Sequence, residues 1–230
     1  MTKLRVSCPP LKAHCSQNLN KFMIAIIDYG VGNLRSVHNA VNFISPQKKS
    51  FVTNDPDKVL KADKIIFPGQ GAMPGCVEEL DKRGLKEVLI ESAKQKPFLG
   101  ICLGLQMLFE ISDEGNQKGF GLLPGKVIKF KSDYKERIKI PHMGWNSVMQ
   151  SNTHPMWRNI KSGSKFYFVH SYFAQTSDER LVVGHTEYGD NFASAVARDN
   201  IFACQFHPEK SAAIGLQSVS YTHLTLPTKA

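Results

Sequence analysis

The chain reads KPFLGICLGLQMLF at residues 96–109, where an apolar run of strand length is followed by apolar residues at helical spacing. Cys102 lies between the two segments, and Gly100 and Gly104 stand two residues to either side of it. Glycines at these positions let neighbouring backbone approach a tight turn without Cβ clashes. The pattern is typical of a nucleophile elbow, a strand-to-helix turn that presents a reactive side chain, here with cysteine in place of serine.

The turn also favours a reactive form of the cysteine. A helix that begins after Cys102 would direct backbone N–H groups and the positive end of its dipole towards the sulfur, which favours the thiolate. The N–H of Leu103 would face the oxyanion that forms during acyl transfer. For this stretch alone, the alternative is a buried structural cysteine in a β–α unit.

A second apolar run, IFACQF at residues 201–206, predicts a buried strand that leads directly into His207-Pro208-Glu209. Because Pro208 ends the strand, His207 is expected at the carboxyl edge of a parallel sheet, where such sheets bind ligands. A thiolate nucleophile requires a nearby imidazole, and Glu209 can fix the tautomer of that imidazole. A turn histidine beside a surface glutamate is the alternative. The cysteine at one strand end and His-Pro-Glu at another favour a Cys102–His207–Glu209 triad.

The segments GICLGLQ and FHPEKS together resemble the class I, triad-type glutamine amidotransferase domain. Four further segments resemble one branch of that family, the glutaminase subunits of imidazole glycerol phosphate synthases: DYGVGNLRSV (28–37), PGQGAM (68–73), PHMGWN (141–146) and YFVHSY (167–172). The resemblance runs from about Met23 to about Leu216. It implies a flavodoxin-like α/β fold and hydrolysis of glutamine to glutamate and ammonia. It also implies delivery of the ammonia to a cyclase subunit of histidine biosynthesis.

The resemblance implies residues that bind the substrate. Gly69 or Gln70 would supply an oxyanion donor beside Leu103, although a simple glycine turn would explain the same segment. Gln106, one helical turn after Cys102, would bind the amino-acid end of glutamine. A structural hydrogen bond is the alternative for this polar residue in an apolar helix.

Further residues follow from the same resemblance. The backbone at Ser171 and Tyr172 would complete the glutamine pocket. Asn33 and Trp145 would lie on the surface that faces the synthase partner. A core position is the alternative for Trp145, because tryptophan is highly buried on average.

The order of predicted elements indicates the fold class without reference to any family. Strands and helices alternate in the first half, which predicts a mainly parallel sheet with helices on both faces. Asn33 can cap a helix whose apolar positions share one face, namely Leu34, Val37, Val41 and Ile44. From Gly125 onwards the predicted strands are joined by turns, which indicates an added antiparallel layer in the same domain.

The predicted strands are Met23–Asp28, Phe51–Thr53, Lys64–Phe67, Val127–Phe130, Arg137–Ile140, Lys165–Val169, Leu181–Thr186, Phe192–Val196 and Ile201–Phe206. Tyr167–Tyr172 is further predicted as a strand that leads into a loop. The remaining helices are predicted near Asp57–Lys61, over Val77–Lys94 with an interruption near Gly84, and over Leu103–Phe109.

The two ends of the chain differ from the rest. Residues 1–22 contain four basic residues, no acid and no periodic pattern, and we expect them to be a non-native or disordered upstream extension. Residues 218–230 resemble a translated sequencing-adapter sequence, so we expect a read-through tail, a truncated final helix and no role for Tyr221 or His223. The predicted glutamine amidotransferase domain is therefore residues 23–217.

Composition excludes several other classes of function. Five of the nine net positive charges arise in the two ends, and the rest of the chain has no basic run of the kind that binds nucleic acid. No apolar run reaches the roughly 18 residues of a membrane span. The three cysteines of the domain, Cys76, Cys102 and Cys204, lack metal-ligand spacing and suit a reducing cytosol. Arg35 stands where a dinucleotide-binding motif requires its third glycine, and we expect no metal or organic cofactor.

Three alternatives to this glutaminase remain open. They are a glutaminase subunit of another synthase, such as those for pyridoxal phosphate or aminobenzoate, a cysteine hydrolase of similar fold, and a non-catalytic binding module. The segments DYGVGNLRSV and PHMGWN disfavour the first, Gln106 and the His-Pro-Glu sequence the second, and the intact triad the third. The chain has no room for a cyclase active site, so a (β/α)8-barrel cyclase partner, a heterodimer and a cytoplasmic location are expected.

Overall fold

The structure, a computed structural model, describes residues 22–44, 49–131 and 138–225, with side chains described through residue 219. Its strands are β1 (Met23–Ile27), β2 (Lys49–Thr53), β3 (Lys64–Gly69), β4 (Phe98–Cys102), β5 (Ile111–Ser112), β6 (Gln117–Lys118), β7 (Gly125–Lys129), β8 (His142–Gln150), β9 (Ser164–His170), β10 (Tyr172–Thr176), β11 (Val182–Tyr188), β12 (Asp190–Arg198) and β13 (Ile201–Cys204). Its α-helices are α1 (Leu34–Ile44), α2 (Pro56–Lys61), α3 (Met73–Lys82), α4 (Lys86–Gln95), α5 (Leu103–Gln106) and α6 (Ala212–Thr225).

A parallel sheet with the order β2-β1-β3-β4-β13 forms the centre of the fold. The sheet continues from β13 through the antiparallel strands β12, β10 and β7 to the short strands β5 and β6. Strand β11 pairs with β12 and β8, and β8 pairs with β9. This arrangement confirms the predicted α/β class with a mainly parallel sheet and an added antiparallel layer.

Apolar side chains are buried on both faces of the parallel strands, as expected where helices cover both faces. In β1, Ile24 and Ile26 belong to one buried cluster, whereas Ala25 and Ile27 belong to the other. Helices α1 and α6 cover the first cluster, and α3 and α4 cover the second. The strands β4 and β13 lie in the middle of this double-sided core, which holds their carboxyl ends in place.

Helix α1 forms as its sequence predicts. Asn33 caps it, because Oδ1 of Asn33 accepts a hydrogen bond from the Ser36 N–H at 3.4 Å. Val37 and Val41 are buried, and the other two apolar positions of the predicted face pack against the same cluster. The interruption predicted near Gly84 is also present, between α3 and α4, where Gly84 has a φ of +64°.

The helix predicted over residues 103–109 is too long, because α5 ends at Gln106. The backbone carbonyls of residues 107–109 accept hydrogen bonds from the N–H groups of residues 120–123 instead of continuing a helix. A single helical turn therefore follows Cys102, and the loop at residues 120–123 determines where this turn ends.

Two predictions for the antiparallel part were wrong. Of the strand predicted at Arg137–Ile140, Arg137 lies outside the described residues, and Ile138 forms only an isolated bridge. The strand lies further on, as β8, where the sequence HMGWNSVMQ shows no clear alternation. The loop predicted after Tyr172 is strand β10, which pairs with β7 and β12. Pairing with strands distant in sequence makes these residues extended.

The predictions for the two ends concern residues of which the structure describes only a part. Residues 1–21 lie outside the described residues. Helix α6 continues past residue 217 to Thr225, and Ser218 and Val219 are buried in it. The non-native origin of both ends stays a prediction. No helix within the described residues is long and apolar enough to cross a bilayer.

Replacement of Gly104 by alanine should destabilise the fold. A Cβ at Gly104 would lie 1.9 Å from the carbonyl oxygen of Phe67, a backbone atom that cannot move aside cheaply. We expect a loss of about 3 kcal/mol, which for a chain of this size lowers the melting temperature by roughly 6–12 °C. Thermal unfolding followed by circular dichroism measures it. Gly75→Ala in α3 is the matched control, because a Cβ there meets no atom within 4 Å. Equal melting temperatures for the two variants would contradict the packing described here.

Candidate active site

Cys102 occupies a strained turn between β4 and α5. Its φ is 55° and its ψ is −109°, a conformation that residues with a Cβ rarely adopt and that costs about 1–3 kcal/mol. The surrounding backbone maintains the strain: a Cβ at Gly100 would lie 2.8 Å from the Gly104 carbonyl oxygen, so the turn closes tightly. The sequence prediction of a nucleophile elbow therefore agrees with the local geometry, and the sulfur lies at the carboxyl edge of the sheet.

His207 and Glu209 follow the neighbouring strand at the same edge. Strand β13 pairs in parallel with β4, which places the residues after each strand side by side although they are about 100 positions apart. The Nδ1 atom of His207 and the Oε1 atom of Glu209 are 2.8 Å apart, and both side chains are only 2% exposed. The carboxylate thereby orients the ring. Ser211 further fixes this segment, because its hydroxyl donates to the His207 carbonyl.

The charge of Cys102 couples to the His207 ring. Burial disfavours the imidazolium, but a Cys102 thiolate and the Glu209 carboxylate outweigh burial and raise the pKa of His207 to about 10. The Nε2 atom of His207 is buried and has no hydrogen-bond partner of normal geometry within the described residues. The sulfur raises the pKa of the ring through its charge and through a contact looser than a normal hydrogen bond. Nε2 is the ring nitrogen available for a proton transfer, because Nδ1 contacts Glu209.

Cys102 and His207 line one cavity of about 450 Å³, a size suited to a small metabolite. Its lining includes seven of the predicted site residues: Gln70, Cys102, Leu103, Gln106, Ser171, Tyr172 and His207. Gly69 is not part of the lining; it lies in β3 directly opposite Cys102 in the parallel ladder. Trp145 and Asn33 lie outside the cavity.

Two side chains donate hydrogen bonds to backbone carbonyls at the end of β3 and in the loop that follows it. The Tyr29 hydroxyl donates to the Pro68 carbonyl at 3.0 Å, and the Cys76 thiol donates to the Gln70 carbonyl at 3.4 Å. Gly71, which also lines the cavity, has a φ of +96° that favours glycine. The loop therefore presents backbone at the cavity wall beside the sulfur.

Gln106 is buried and uses its amide nitrogen inside the protein. Nε2 of Gln106 donates to the Tyr172 carbonyl at 2.8 Å and to Oε1 of Gln205 at 3.0 Å. The alternative of a structural hydrogen bond therefore holds for the nitrogen end of this side chain. Its oxygen end is the part that can accept a hydrogen bond from a ligand.

Sequence reasoning missed three polar residues of the site. Glu114 and Lys210 line the cavity, and Gln205 lies with its Nε2 atom 3.6 Å from the Cys102 sulfur. His170, which the sequence placed beside the glutamine pocket without a catalytic role, also lines the cavity. Glu114 follows β5 in a turn whose sequence gives no functional signal. Gln205 lies in an apolar segment predicted as a strand, and only its position two residues before a possible catalytic histidine could have indicated a role.

Trp145 lies on an exposed apolar face of β8 and is not a core residue. One side of the strand carries Met143, Trp145 and Met149, which are 62%, 51% and 45% exposed, respectively. This apolar face adjoins the cavity, because Met143 pairs with Val169, which lines it. Asn33 is partly exposed after β1, at the carboxyl edge of the parallel strands that also bears Cys102.

The chain is similar in sequence to known glutamine amidotransferases. The family model described as glutamine amidotransferase class-I matches residues 25–220. The imidazole glycerol phosphate synthase subunit HisH of Aromatoleum aromaticum is 56% identical over 203 residues, which cover 86% of this chain and 95% of that protein. The HisH subunit of Nitrosomonas europaea is 54% identical over 202 residues, which cover 86% of this chain and 95% of that protein.

The fold recurs in solved structures of low sequence identity. A glutamine amidotransferase from Thermotoga maritima has a TM-score of 0.59 at 16% identity, with 84% of this chain and 79% of that chain covered. A likeness of such low identity shows the fold alone. The chain belongs to the class I glutamine amidotransferase family, within the group of HisH subunits of imidazole glycerol phosphate synthase.

Proposed function

We propose that this protein hydrolyses glutamine to glutamate and ammonia with Cys102 as the nucleophile. The observation that carries the proposal is the shared cavity of Cys102 and His207, in which the buried His207–Glu209 pair faces a cysteine on a strained elbow. In the first step the sulfur attacks the side-chain amide carbon of glutamine. The His207 imidazolium then gives its Nε2 proton to the departing nitrogen, which leaves as ammonia.

The second step releases glutamate. After ammonia departs, the neutral Nε2 atom of His207 can take a proton from water, which attacks the γ-glutamyl thioester. The 2.8 Å contact between Nδ1 and Glu209 keeps the ring in the tautomer that this step requires. The raised pKa of His207 suits the first step, because the ring is protonated before glutamine binds.

The oxyanion of both tetrahedral intermediates would be stabilised by backbone N–H groups. Leu103 and Gln70 line the cavity on either side of Cys102, and Gly69 lies opposite Cys102 in the ladder. We propose the Leu103 N–H as one donor and an N–H of the Gly69–Gln70 segment as the other. Loss of one such donor typically costs about 3–4 kcal/mol of transition-state stabilisation.

The cavity also suits the amino-acid part of glutamine. Its α-ammonium group requires a negative partner, and the carboxylate of Glu114 lines the cavity. One oxygen of Glu114 accepts the Met73 N–H at 2.8 Å, which fixes the carboxylate. The oxygen of Gln106 and the backbone at Ser171 and Tyr172 would complete the pocket.

We further propose that ammonia passes to a (β/α)8-barrel cyclase partner that makes imidazole glycerol phosphate and an aminoimidazole carboxamide ribotide in histidine biosynthesis. The exposed face of Met143, Trp145 and Met149 adjoins the cavity and has the apolar character of an interface core. Trp145 and Asn33 would contact this partner in a heterodimer. The free thiols of Cys76, Cys102 and Cys204 support a reducing cytoplasm as the location.

Cys102→Ala tests the proposed function in the complex with the cyclase partner. Glutamine-dependent synthesis should fall below detection, because the nucleophile is gone, whereas synthesis from added ammonium salt should continue at the parental rate. Glutamate release and product formation are measured side by side. A variant that loses the ammonia-dependent reaction as well would contradict the division of labour between the two subunits.

Removal of the other triad side chains should be graded. We expect Glu209→Ala to keep roughly tenfold to hundredfold more glutaminase activity than His207→Ala, because loss of ring orientation costs less than loss of the base. Initial rates of glutamate release by the complex at saturating glutamine give the comparison. Equal losses in the two variants would show that Glu209 does more than orient the ring.

A further inference from the structure

Gln205 is a buried carboxamide in direct contact with the Cys102 sulfur. It follows β13, is 0% exposed, and its backbone N–H donates to the Ser194 carbonyl at 2.9 Å. Its Nε2 atom lies 3.6 Å from the sulfur, and its Oε1 atom lies 3.0 Å from Nε2 of Gln106. Both ends of the side chain therefore have a partner.

The surroundings determine which end of Gln205 faces the sulfur. The Tyr172 carbonyl can only accept hydrogen bonds, so the end of Gln106 that lies 2.8 Å from it must be the NH2 group. The same NH2 group gives its second hydrogen to Gln205, which must therefore offer its oxygen there. The NH2 group of Gln205 consequently faces Cys102, and the sulfur is the acceptor.

The Tyr172 carbonyl also contacts His170, which in turn contacts His142. Nδ1 of His170 lies 2.8 Å from the Tyr172 oxygen and must carry a proton, because the carbonyl can only accept. In a neutral ring the other nitrogen of His170 then accepts, and it lies 3.0 Å from Nδ1 of His142. His142 in turn accepts at Nε2 from the Asn146 side chain at 3.3 Å.

The contacts of Asn146 also require that Asn146 donates to His142. Asn146 accepts the Ser147 N–H at Oδ1 and donates from Nδ2 to the Glu187 carbonyl, so its nitrogen end is the one that faces His142. Burial lowers the pKa of His142 to about 4 and that of His170 to about 3, so both rings are neutral near pH 7. We call Asn146, His142, His170 and Gln106 the amide–imidazole chain.

We propose that Gln205 is a further catalytic group, whose amide N–H stabilises the Cys102 thiolate. Within the amide–imidazole chain Gln106 positions Gln205 directly, and the two histidines and Asn146 act by holding the Tyr172 carbonyl to which Gln106 donates. A hydrogen bond to a charged sulfur is stronger than one to a neutral thiol, so the donor favours the thiolate. The Val169 carbonyl, 3.9 Å from the sulfur, can bond only to the thiol. The role in hydrolysis rests on the proposed function, whereas the contact with the sulfur does not.

Alkylation of Cys102 by iodoacetamide tests this role, because the thiolate is the reacting form. The rate is measured from about pH 5 to about pH 10 by mass spectrometry of the Cys102 peptide, a range that spans ordinary thiol titration. In Gln205→Met, which is uncharged and of similar size, the rate on the acidic side of the profile, where the thiol predominates, should fall about tenfold, the effect of one hydrogen bond to a charged group. The midpoint of the profile should move to higher pH.

Two further variants complete the comparison. Gln150→Met is the matched control. Gln150 lies on β8, and its carboxamide donates to the Ile160 carbonyl, outside the amide–imidazole chain. This variant should keep the parental profile. Asn146→Leu should move the profile in the same direction as Gln205→Met but by less. The other ionisable groups coupled to the sulfur, His207, Tyr29 and Cys204, remain in every variant.

A parental profile in folded Gln205→Met would overturn the role of Gln205, and a parental profile in Asn146→Leu would overturn the role of the chain. Should Gln205→Met not fold, NMR of the ¹⁵N-labelled protein decides instead. The side-chain amide resonances of Gln205 should shift in Cys102→Ala while those of Gln150 stay, and unshifted Gln205 resonances would overturn the contact. Alkylation needs no glutamine, so an inactive parent enzyme would contradict the proposed function and leave this test intact.

Discussion

The attraction between a Cys102 thiolate and the His207 imidazolium is the interaction on which the proposed chemistry depends. Burial alone would keep the ring neutral, and only the negative charges beside it reverse that preference. The fold provides it by pairing β4 and β13 in parallel, so that two chain segments far apart in sequence end at the same edge of the sheet.

The backbone and the buried polar groups around Cys102 and His207 keep the two residues in place, at a cost to local stability. The strained φ of Cys102 persists because Gly100 and Gly104 let the strands and the following turn pack without side chains between them. The buried polar groups nearby have their hydrogen bonds made largely by one another, which limits the penalty of burial. Within the described residues the exceptions at the site are Nε2 of His207 and Oε2 of Glu209, and an unsatisfied Nε2 at this position is consistent with a site that awaits its substrate.

The sequence was sufficient for features that local pattern determines. The elbow, the His-Pro-Glu turn and the Asn33 cap each depend on residues within a few positions of one another, and the structure has them where they were expected. It was insufficient where distant contacts decide. Helix α5 stops early because the carbonyls of residues 107–109, which follow it, accept hydrogen bonds from residues 120–123. Strand β8 is extended because β9 and β11 pair with it. Glu114 and Gln205 reach the cavity by the same long-range folding, which no local pattern reports.

The most direct test of the account is the titration of the His207 ring by NMR, in the parent protein and in Cys102→Ala. We expect the ring to titrate near pH 10 in the parent, because the thiolate stabilises its charge. We expect a clearly lower pKa of the ring in Cys102→Ala, where only Glu209 opposes the effect of burial. The same titration midpoint in both proteins would show that the cysteine and the histidine are not coupled, and it would contradict the proposed mechanism.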